Sequence, residues 1–193
     1  MSKSVNIMLA GVGGQGVLLA SEVISKVAME KGYDVKKSEV HGMAQRGGSV
    51  VSNVRFGEKI YSPIIAEGEA DILLAFEKLE ALRWLNYLKK DGIIITNTQK
   101  IDPLPVANGK EKYPENVMDK LEKSGLKVIG LDALSKAREA GTQKAINTVL
   151  LGALANEIDI SKDLFEKVIK ESVPKSTIKI NTTAFKSGFE AIN

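Results

Sequence analysis

The stretch LAGVGGQGVLLASEV, residues 9–23, joins a strand to a helix through a cluster of glycines. The apolar run VNIMLA at 5–10 is typical of a strand buried on both faces of a parallel sheet. After Gly16 the apolar residues follow the period of a helix, which Gly32 is expected to end. With YDVKKSEV (33–40) as a second strand, the first forty residues predict a strand, glycine loop, helix and strand unit.

The rest of the chain alternates strands with helices and shows no repeat, low-complexity tract or linker that would divide it. We therefore predict the α/β class: a single Rossmann-like domain over residues 1–193, with a mostly parallel sheet, helices on both faces and a helical C-terminal part. The further predicted elements are strands at 49–56, at 58–65 as its hairpin partner, and at 71–76, 92–97 and 126–131, helices at 77–89 and 115–124, a loop at 99–113, and mostly helix from residue 132, with Ser161 as an N-cap.

Composition excludes several classes of function. The chain has 193 residues, a net charge of +3 and interspersed acidic and basic residues, which argues against a nucleic-acid surface. The absence of cysteine excludes disulfides, a thiolate nucleophile and an iron–sulfur cluster held by this chain in the usual way, and with one histidine we predict no metal site. No apolar run approaches the ~20 residues that span a bilayer, and no signal peptide is visible, so we expect a cytoplasmic protein without a membrane partner.

The first glycine cluster fits the pattern G-x-G-x-x-G at Gly11, Gly13 and Gly16. In that pattern the glycines allow a tight turn and close approach of the backbone to a phosphate, which lies at the N-terminus of the helix. Glu39 follows about 20 residues later, where a carboxylate that binds ribose is expected. Two interpretations remain open: a phosphate or dinucleotide site, or glycines needed only to pack the helix on the strand. The glycines are not followed by a P-loop lysine, which argues against a kinase or ATPase.

A second glycine-rich loop, HGMAQRGGSV at 41–50, suits neither a helix nor a strand and contains the only histidine of the chain. The planar, always charged fork of Arg46 suits contact with an anion or a partner protein. His41 and Arg46 are therefore the candidate catalytic residues. The alternatives are a structural histidine and an arginine that only caps a turn.

Together, GVGGQGV and EVHGMAQRGGSVVSNVRFG resemble the gamma subunit or domain of the 2-oxoacid:ferredoxin oxidoreductases. The resemblance extends over nearly the whole chain, through ADILLAFEKLEALRW, NTVLLGALA and NTTAFKSGFEAIN. The HGMAQ variant is most similar to the indolepyruvate branch, whose small subunit is called beta. The resemblance implies matched site residues in two groups: Gly11, Gly13, Gly14, Gln15 and Gly16 for a phosphate or coenzyme A, and Gln45, Arg46, Gly47 and Gly48 for substrate or partner.

What the resemblance implies about function differs from what the first glycine loop suggests. Members of this family oxidatively decarboxylate a 2-oxoacid, form an acyl-CoA and pass electrons to ferredoxin. Thiamine diphosphate, Mg²⁺ and the iron–sulfur clusters are expected on a large alpha subunit, with coenzyme A as co-substrate. This chain would then be a Rossmann-like companion that binds no redox cofactor of its own and is inactive alone.

Two other functions remain as alternatives. One is a free-standing NAD(P)- or FAD-dependent oxidoreductase that uses the glycines from Gly11 to Gly16 together with Glu39. The other is a non-catalytic module that senses a nucleotide. Both depend on the glycine loop alone, whereas the resemblance depends on the paired loops.

Overall fold

A computed structural model describes residues 4–41 and 48–192, and within them six strands form one mixed sheet. The strands are β1 (Val5–Val12), β2 (Asp34–His41), β3 (Ser49–Gly57), β4 (Ala70–Ala75), β5 (Leu88–Asn97) and β6 (Lys127–Leu131). The helices are α1 (Val17–Glu30), α2 (Lys78–Arg83), α3 (Leu104–Ala107), α4 (Val117–Glu122), α5 (Ala133–Glu139), α6 (Ile146–Ala155), α7 (Lys162–Ser172) and α8 (Ile178–Glu190).

The strand order is β2-β3-β1-β4-β5-β6. β1, β4, β5 and β6 pair in parallel, whereas β3 runs antiparallel to both of its neighbours, β1 and β2. Five strands therefore run in one direction and one runs against them. This confirms the predicted α/β class with a mostly parallel sheet.

The predicted hairpin between β3 and residues 58–65 is wrong. β3 lies between β1 and β2 and is buried over most of its length, so both of its edges are already paired. Residues 58–69 form bends and turns instead of a strand. The Arg55 guanidinium donates to the carbonyls of Ser62 and Ile64, which holds this segment against the sheet without strand pairing.

Helices cover both faces of the sheet, as predicted. One face packs against α1 and α5 to α8, and the other against α2 and α4, so that two apolar cores lie on either side of the strands. The C-terminal part from residue 132 is helical, which is also confirmed. In the described part of the chain, no helix is long and apolar enough to cross a bilayer.

Three local predictions need correction. The helix predicted at 77–89 is the shorter α2, because β5 begins at Leu88 to pair with Ala70 of β4. The loop predicted at 99–113 contains the one-turn helix α3. Ser161 does precede α7, but its side chain makes no capping hydrogen bond there.

Candidate functional site

The candidate site lies where β1 and β4 end side by side. These strands pair in parallel from Ile7 and Ile72 to Ala10 and Ala75. The chain leaves β1 into α1 on one face of the sheet and leaves β4 into α2 on the other. In open α/β sheets such a reversal opens a crevice at the carboxyl ends of the strands, and ligands bind there.

The glycine loop between β1 and α1 is fastened to the end of β4 by a glutamine. The Gln15 amide oxygen accepts a hydrogen bond from the Val12 N–H at 2.8 Å, and its nitrogen donates to the Phe76 carbonyl at 2.8 Å. Both bonds lie within the chain, so the amide holds the loop in shape. The predicted contact of Gln15 with a phosphate remains a prediction.

The glycines of this loop are required for different reasons. A Cβ on Gly11 would lie 2.8 Å from the Val17 side chain, and one on Gly16 would lie 2.7 Å from Asn147 Nδ2. Gly14 faces open space, and glycine is favoured at this position only because its φ is 99°. The packing interpretation therefore accounts for Gly11 and Gly16, while the space needed for a ligand lies at Gly14.

Buried amides support the loop from the C-terminal helices. Asn147, at the start of α6, donates to the Gly16 carbonyl at 3.4 Å. Its oxygen accepts the Thr148 backbone N–H at 2.9 Å, and the Thr148 hydroxyl donates to Asn181 of α8 at 2.8 Å. The helical C-terminal part thus positions the glycine loop, a role that the sequence analysis did not assign to Asn147.

The two glycine-rich loops meet, a contact that the sequence analysis did not predict. The Gly13 N–H donates to the Gly48 carbonyl at 2.9 Å, beside the antiparallel pair of Val12 and Ser49. Gly48 is the only member of the second group of candidate residues that the structure describes. Gln45, Arg46 and Gly47 lie outside the described residues, and so does the side chain of His41.

Glu39 is not placed next to the glycine loop. It lies in β2 at the edge of the sheet, and β3 separates that strand from β1. The carboxylate of Glu39 pairs with Lys37 at 2.9 Å. In a dinucleotide site, the carboxylate that binds the ribose lies at the end of the parallel strand next to β1. Here the strand next to β1 on that side is β3, which runs in the opposite direction.

Two clefts open at this edge of the sheet. The α2 cleft has a volume of about 310 Å³, and the α6 cleft has a volume of about 340 Å³. Ile101 lines both, so the segment after β5 forms their common wall. The α2 cleft is lined by Val12, Gly48, Ser49, Glu77, Glu80, Arg83, Ile101, Asp102, Pro103, Leu104, Pro105 and Ala107. The α6 cleft is lined by Gly14, Gln15, Gln99, Ile101, Leu134, Gln143, Lys144 and Ile146.

Two buried carboxylates lie at the α2 cleft. Glu77 is 1% exposed and caps α2 by accepting the N–H groups of Leu79 and Glu80. Burial raises the pKa of the Glu77 carboxyl, against the hydrogen bond from the Tyr113 hydroxyl and the backbone bonds that lower it. The same hydroxyl has its own pKa raised, first by burial and then by Glu77.

Glu80 connects α2 to the second loop. Its side chain is 2% exposed and accepts the Ser49 hydroxyl at 2.6 Å and the Arg83 guanidinium at 2.8 Å. Arg83 remains 42% exposed at the cleft, where its free N–H groups can meet an anionic group of a ligand. The sequence analysis missed both carboxylates, although FEKLEALR directly follows a buried strand, which is the available signal for a site at its carboxyl end.

The chemistry of the site is that of binding. Within residues 4–41 and 48–192 no group of three or more histidine, aspartate or glutamate side chains could hold a metal ion. The walls of the α2 cleft are largely apolar and Arg83 supplies positive charge there, whereas the glycine loop and the N-terminus of α1 lie at the more polar α6 cleft next to it. This combination suits a ligand with apolar and anionic parts.

Gly16 is expected to be the less replaceable of the two loop glycines with positive φ. Gly14→Ala should cost about 1–2 kcal/mol of unfolding free energy, because an L-residue must take a left-handed conformation. Gly16→Ala carries the same strain, at a φ of 81°, and must also displace Asn147, so its loss should be larger by about 1 kcal/mol or more. Urea unfolding of both variants measures the difference, and equal losses would show that Asn147 does not constrain the loop. The positive φ angles of the loop are those of Gly14 and Gly16.

Comparison with known proteins places this chain in one family. A family model described as pyruvate ferredoxin/flavodoxin oxidoreductase matches residues 6–191. The indolepyruvate oxidoreductase subunit IorB of Thermococcus kodakarensis is 43% identical, over 98% of this chain and 96% of its own length.

Two solved structures show the same fold. The gamma subunit of a keto/oxoacid ferredoxin oxidoreductase from Geobacter sulfurreducens gives a TM-score of 0.73 at 24% identity, over 96% of each chain. The 2-oxoglutarate:ferredoxin oxidoreductase from Magnetococcus marinus, with 2-oxoglutarate, coenzyme A and succinyl-CoA bound, gives 0.77 at 20% identity over 98% of this chain and 31% of its own. The chain belongs to the pyruvate ferredoxin/flavodoxin oxidoreductase family, as a subunit of the gamma type.

Proposed function

We propose that the chain is the small subunit of a thiamine-diphosphate-dependent complex that oxidatively decarboxylates 2-oxoacids. The complex would convert a 2-oxoacid and coenzyme A to acyl-CoA and CO₂ and pass two electrons to ferredoxin. Arylpyruvates such as indolepyruvate are the proposed substrates. The observation that supports this most is the 43% identity to an indolepyruvate oxidoreductase subunit over nearly the full length of both chains.

The proposed distribution of cofactors between the subunits is the one that the family resemblance implies, and the composition of this chain is consistent with it. A chain without cysteine offers no thiolate for an iron–sulfur cluster, so the electrons are proposed to travel through a large alpha subunit. Thiamine diphosphate with Mg²⁺, proposed to be bound on that subunit, would supply the electron sink that decarboxylation needs. Ferredoxin is proposed to meet the complex and not this chain alone, and the complex is proposed to work in the cytoplasm.

The proposed role of this chain, acting as one gamma-type domain over residues 1–193, is to bind coenzyme A and complete the assembly. The glycine loop supports this role, because Gly14 faces open space at the N-terminus of α1, where a phosphate is stabilised by backbone N–H groups. Arg46, next to Gly47 and Gly48, is proposed to contact an anionic group: a coenzyme A phosphate, the 2-oxoacid carboxylate or a carboxylate of the partner. Gln45 and His41 are proposed to assist Arg46.

NAD and NADP are expected to bind poorly. Glu39, the residue that would hold the ribose, lies on the edge strand with β3 between it and the glycine loop. Calorimetry should therefore detect no micromolar affinity of the chain for either dinucleotide. Tight NAD binding that Glu39→Ala abolishes would favour the free-standing oxidoreductase instead.

The isolated chain is expected to be colourless and inactive. Visible spectra of the purified protein should lack the absorption of flavin and of iron–sulfur clusters, and assays with indolepyruvate, coenzyme A and a viologen dye should show no reduction of the dye. Co-expression with a large, cysteine-rich partner should give a brown complex that reduces the dye. A flavin spectrum of the single chain would contradict the proposed division of labour.

A further inference from the structure

Residues 98–113, most of the segment between β5 and α4, cross the carboxyl edge of the sheet, and we call them the strap. It forms the wall that the two clefts share, since Ile101 lines both of them. Residues 102–105 extend this wall along the α2 cleft, and Gln99 lies on the side of the α6 cleft. The position of the strap therefore sets the width of both clefts.

Burial holds the strap only weakly. Most of its residues from 102 to 112 are exposed, including Leu104, whose exposed fraction is 64%. The backbone N–H groups of Val106, Ala107, Asn108, Gly109, Lys110 and Glu111 all donate to carbonyls within the strap. These bonds shape the strap internally but do not attach it to the sheet.

One carboxylate attaches both ends of the strap to the rest of the protein. Glu77 Oε1 accepts the Ile101 N–H at 3.3 Å near the start of the strap and the Tyr113 hydroxyl at 2.6 Å at its end. The other oxygen, Oε2, accepts the N–H groups of Leu79 at 2.7 Å and Glu80 at 3.1 Å. Glu77 thus joins the strap, the end of β4 and the first turn of α2 at one buried point.

Charged groups around this point favour the same arrangement. The ring of Tyr113 has Lys100 Nζ at 4.7 Å and Lys78 Nζ at 5.9 Å from its centroid. Lys100 also pairs with Asp102 at 3.0 Å. Cations near the ring attract its face, but these side chains are long and partly exposed. At its start the strap is also joined to β6 by the Thr98 N–H, which donates to the Leu131 carbonyl at 3.0 Å. At its end the short charge-assisted bond from the Tyr113 hydroxyl is the main polar attachment.

We propose that Glu77 is a positioning residue that fixes the strap, and with it the shape of the two clefts, for binding coenzyme A. The identity of the ligand rests on the proposed function, whereas the attachment of the strap by Glu77 does not. Glu77 acts through the strap and touches no reacting atom. Loosening it should weaken binding at this edge without changing the chemistry on the partner subunit.

The test uses Tyr113→Phe, which removes one hydroxyl and leaves the cap of α2 intact, and Glu77→Gln, which removes the charge. In hydrogen exchange of the full chain, amides of the strap should exchange about tenfold faster or more in both variants, as expected for the loss of a hydrogen bond to a charged group. Amides of Ile93 to Ile95 in β5 should keep their wild-type rates. Tyr61→Phe is the matched control, because its hydroxyl is on a residue that is 88% exposed in the segment between β3 and β4.

In the assembled complex, the same variants should raise KM for coenzyme A several-fold, while kcat and KM for the 2-oxoacid stay close to wild type. If the strap amides of Tyr113→Phe exchange at wild-type rates, Glu77 does not hold the strap through Tyr113. This result would count against the proposal even if Glu77→Gln failed to fold. Faster exchange with an unchanged KM for coenzyme A would overturn the positioning role. If the proposed function itself is wrong, the result is different: the complex assembled with the wild-type chain would not use coenzyme A at all.

Discussion

Gly188→Ala should unfold at a much lower urea concentration than the wild-type chain. Gly188 lies in α8 directly against α6, where an added Cβ would overlap the carbonyl oxygen and carbon of Val149. The reciprocal contact is equally close, since a Cβ on Gly152 of α6 would overlap the Phe185 carbonyl oxygen. Backbone meets backbone at this crossing, so no side chain can rotate away to make room.

The expected loss for Gly188→Ala is about 3 kcal/mol of unfolding free energy. Alanine is a better helix former than glycine by about 1 kcal/mol. A net loss of stability therefore appears only if the steric cost of the added Cβ is larger than this gain. Chemical unfolding followed by circular dichroism measures it. Ser187→Ala, one residue earlier on α8, half-buried and beside Lys136, should change stability by about 0.5 kcal/mol or less. A Gly188→Ala variant as stable as wild type would show that α6 and α8 are less closely packed.

Arg46→Ala should leave the chain folded and lower the activity of the assembled complex by about an order of magnitude or more. An arginine in a glycine-rich loop contributes little to the core, so stability should change little. The loss of one desolvated, charge-assisted contact costs about 2–5 kcal/mol. Arg46→Lys should recover only part of the activity, because lysine cannot make the two parallel bonds of a guanidinium fork.

Three measurements separate the possible roles of Arg46. A melting temperature close to wild type establishes that the fold is intact. Reduced co-purification with the large subunit would place Arg46 at the subunit interface, and a raised KM for coenzyme A would place it at the phosphates. Wild-type assembly and turnover would leave Arg46 as a residue that only caps a turn.

The sequence predicted the elements of the fold better than their arrangement. A continuous apolar run identified β1, and the period of 3.6 identified α1 and the helical C-terminal part, because these segments carry their burial pattern locally. The position of β3 between β1 and β2 was missed, since strand pairing depends on contacts distant in sequence. The pattern of residues 58–65 resembled a strand, but both edges of β3 were already occupied.

The site was predicted in part. The sequence singled out the two glycine-rich loops, which the structure joins through the hydrogen bond from Gly13 to Gly48, while the roles of their residues stay predictions. Glu77 was missed because its importance comes from burial under a strap that begins more than twenty residues later. Asn147 was matched only as part of a motif, and its contact with Gly16 spans 131 residues of sequence. Such contacts follow from tertiary structure and leave little local signal.

The role of the chain as a completing subunit is tested most directly by mixing it with the separately produced large subunit. Ferredoxin reduction with indolepyruvate and coenzyme A should be negligible for either subunit alone, appear on mixing, and saturate at a fixed subunit ratio. Robust oxidative decarboxylation by this chain alone, or a large subunit that is fully active without it, would contradict that role.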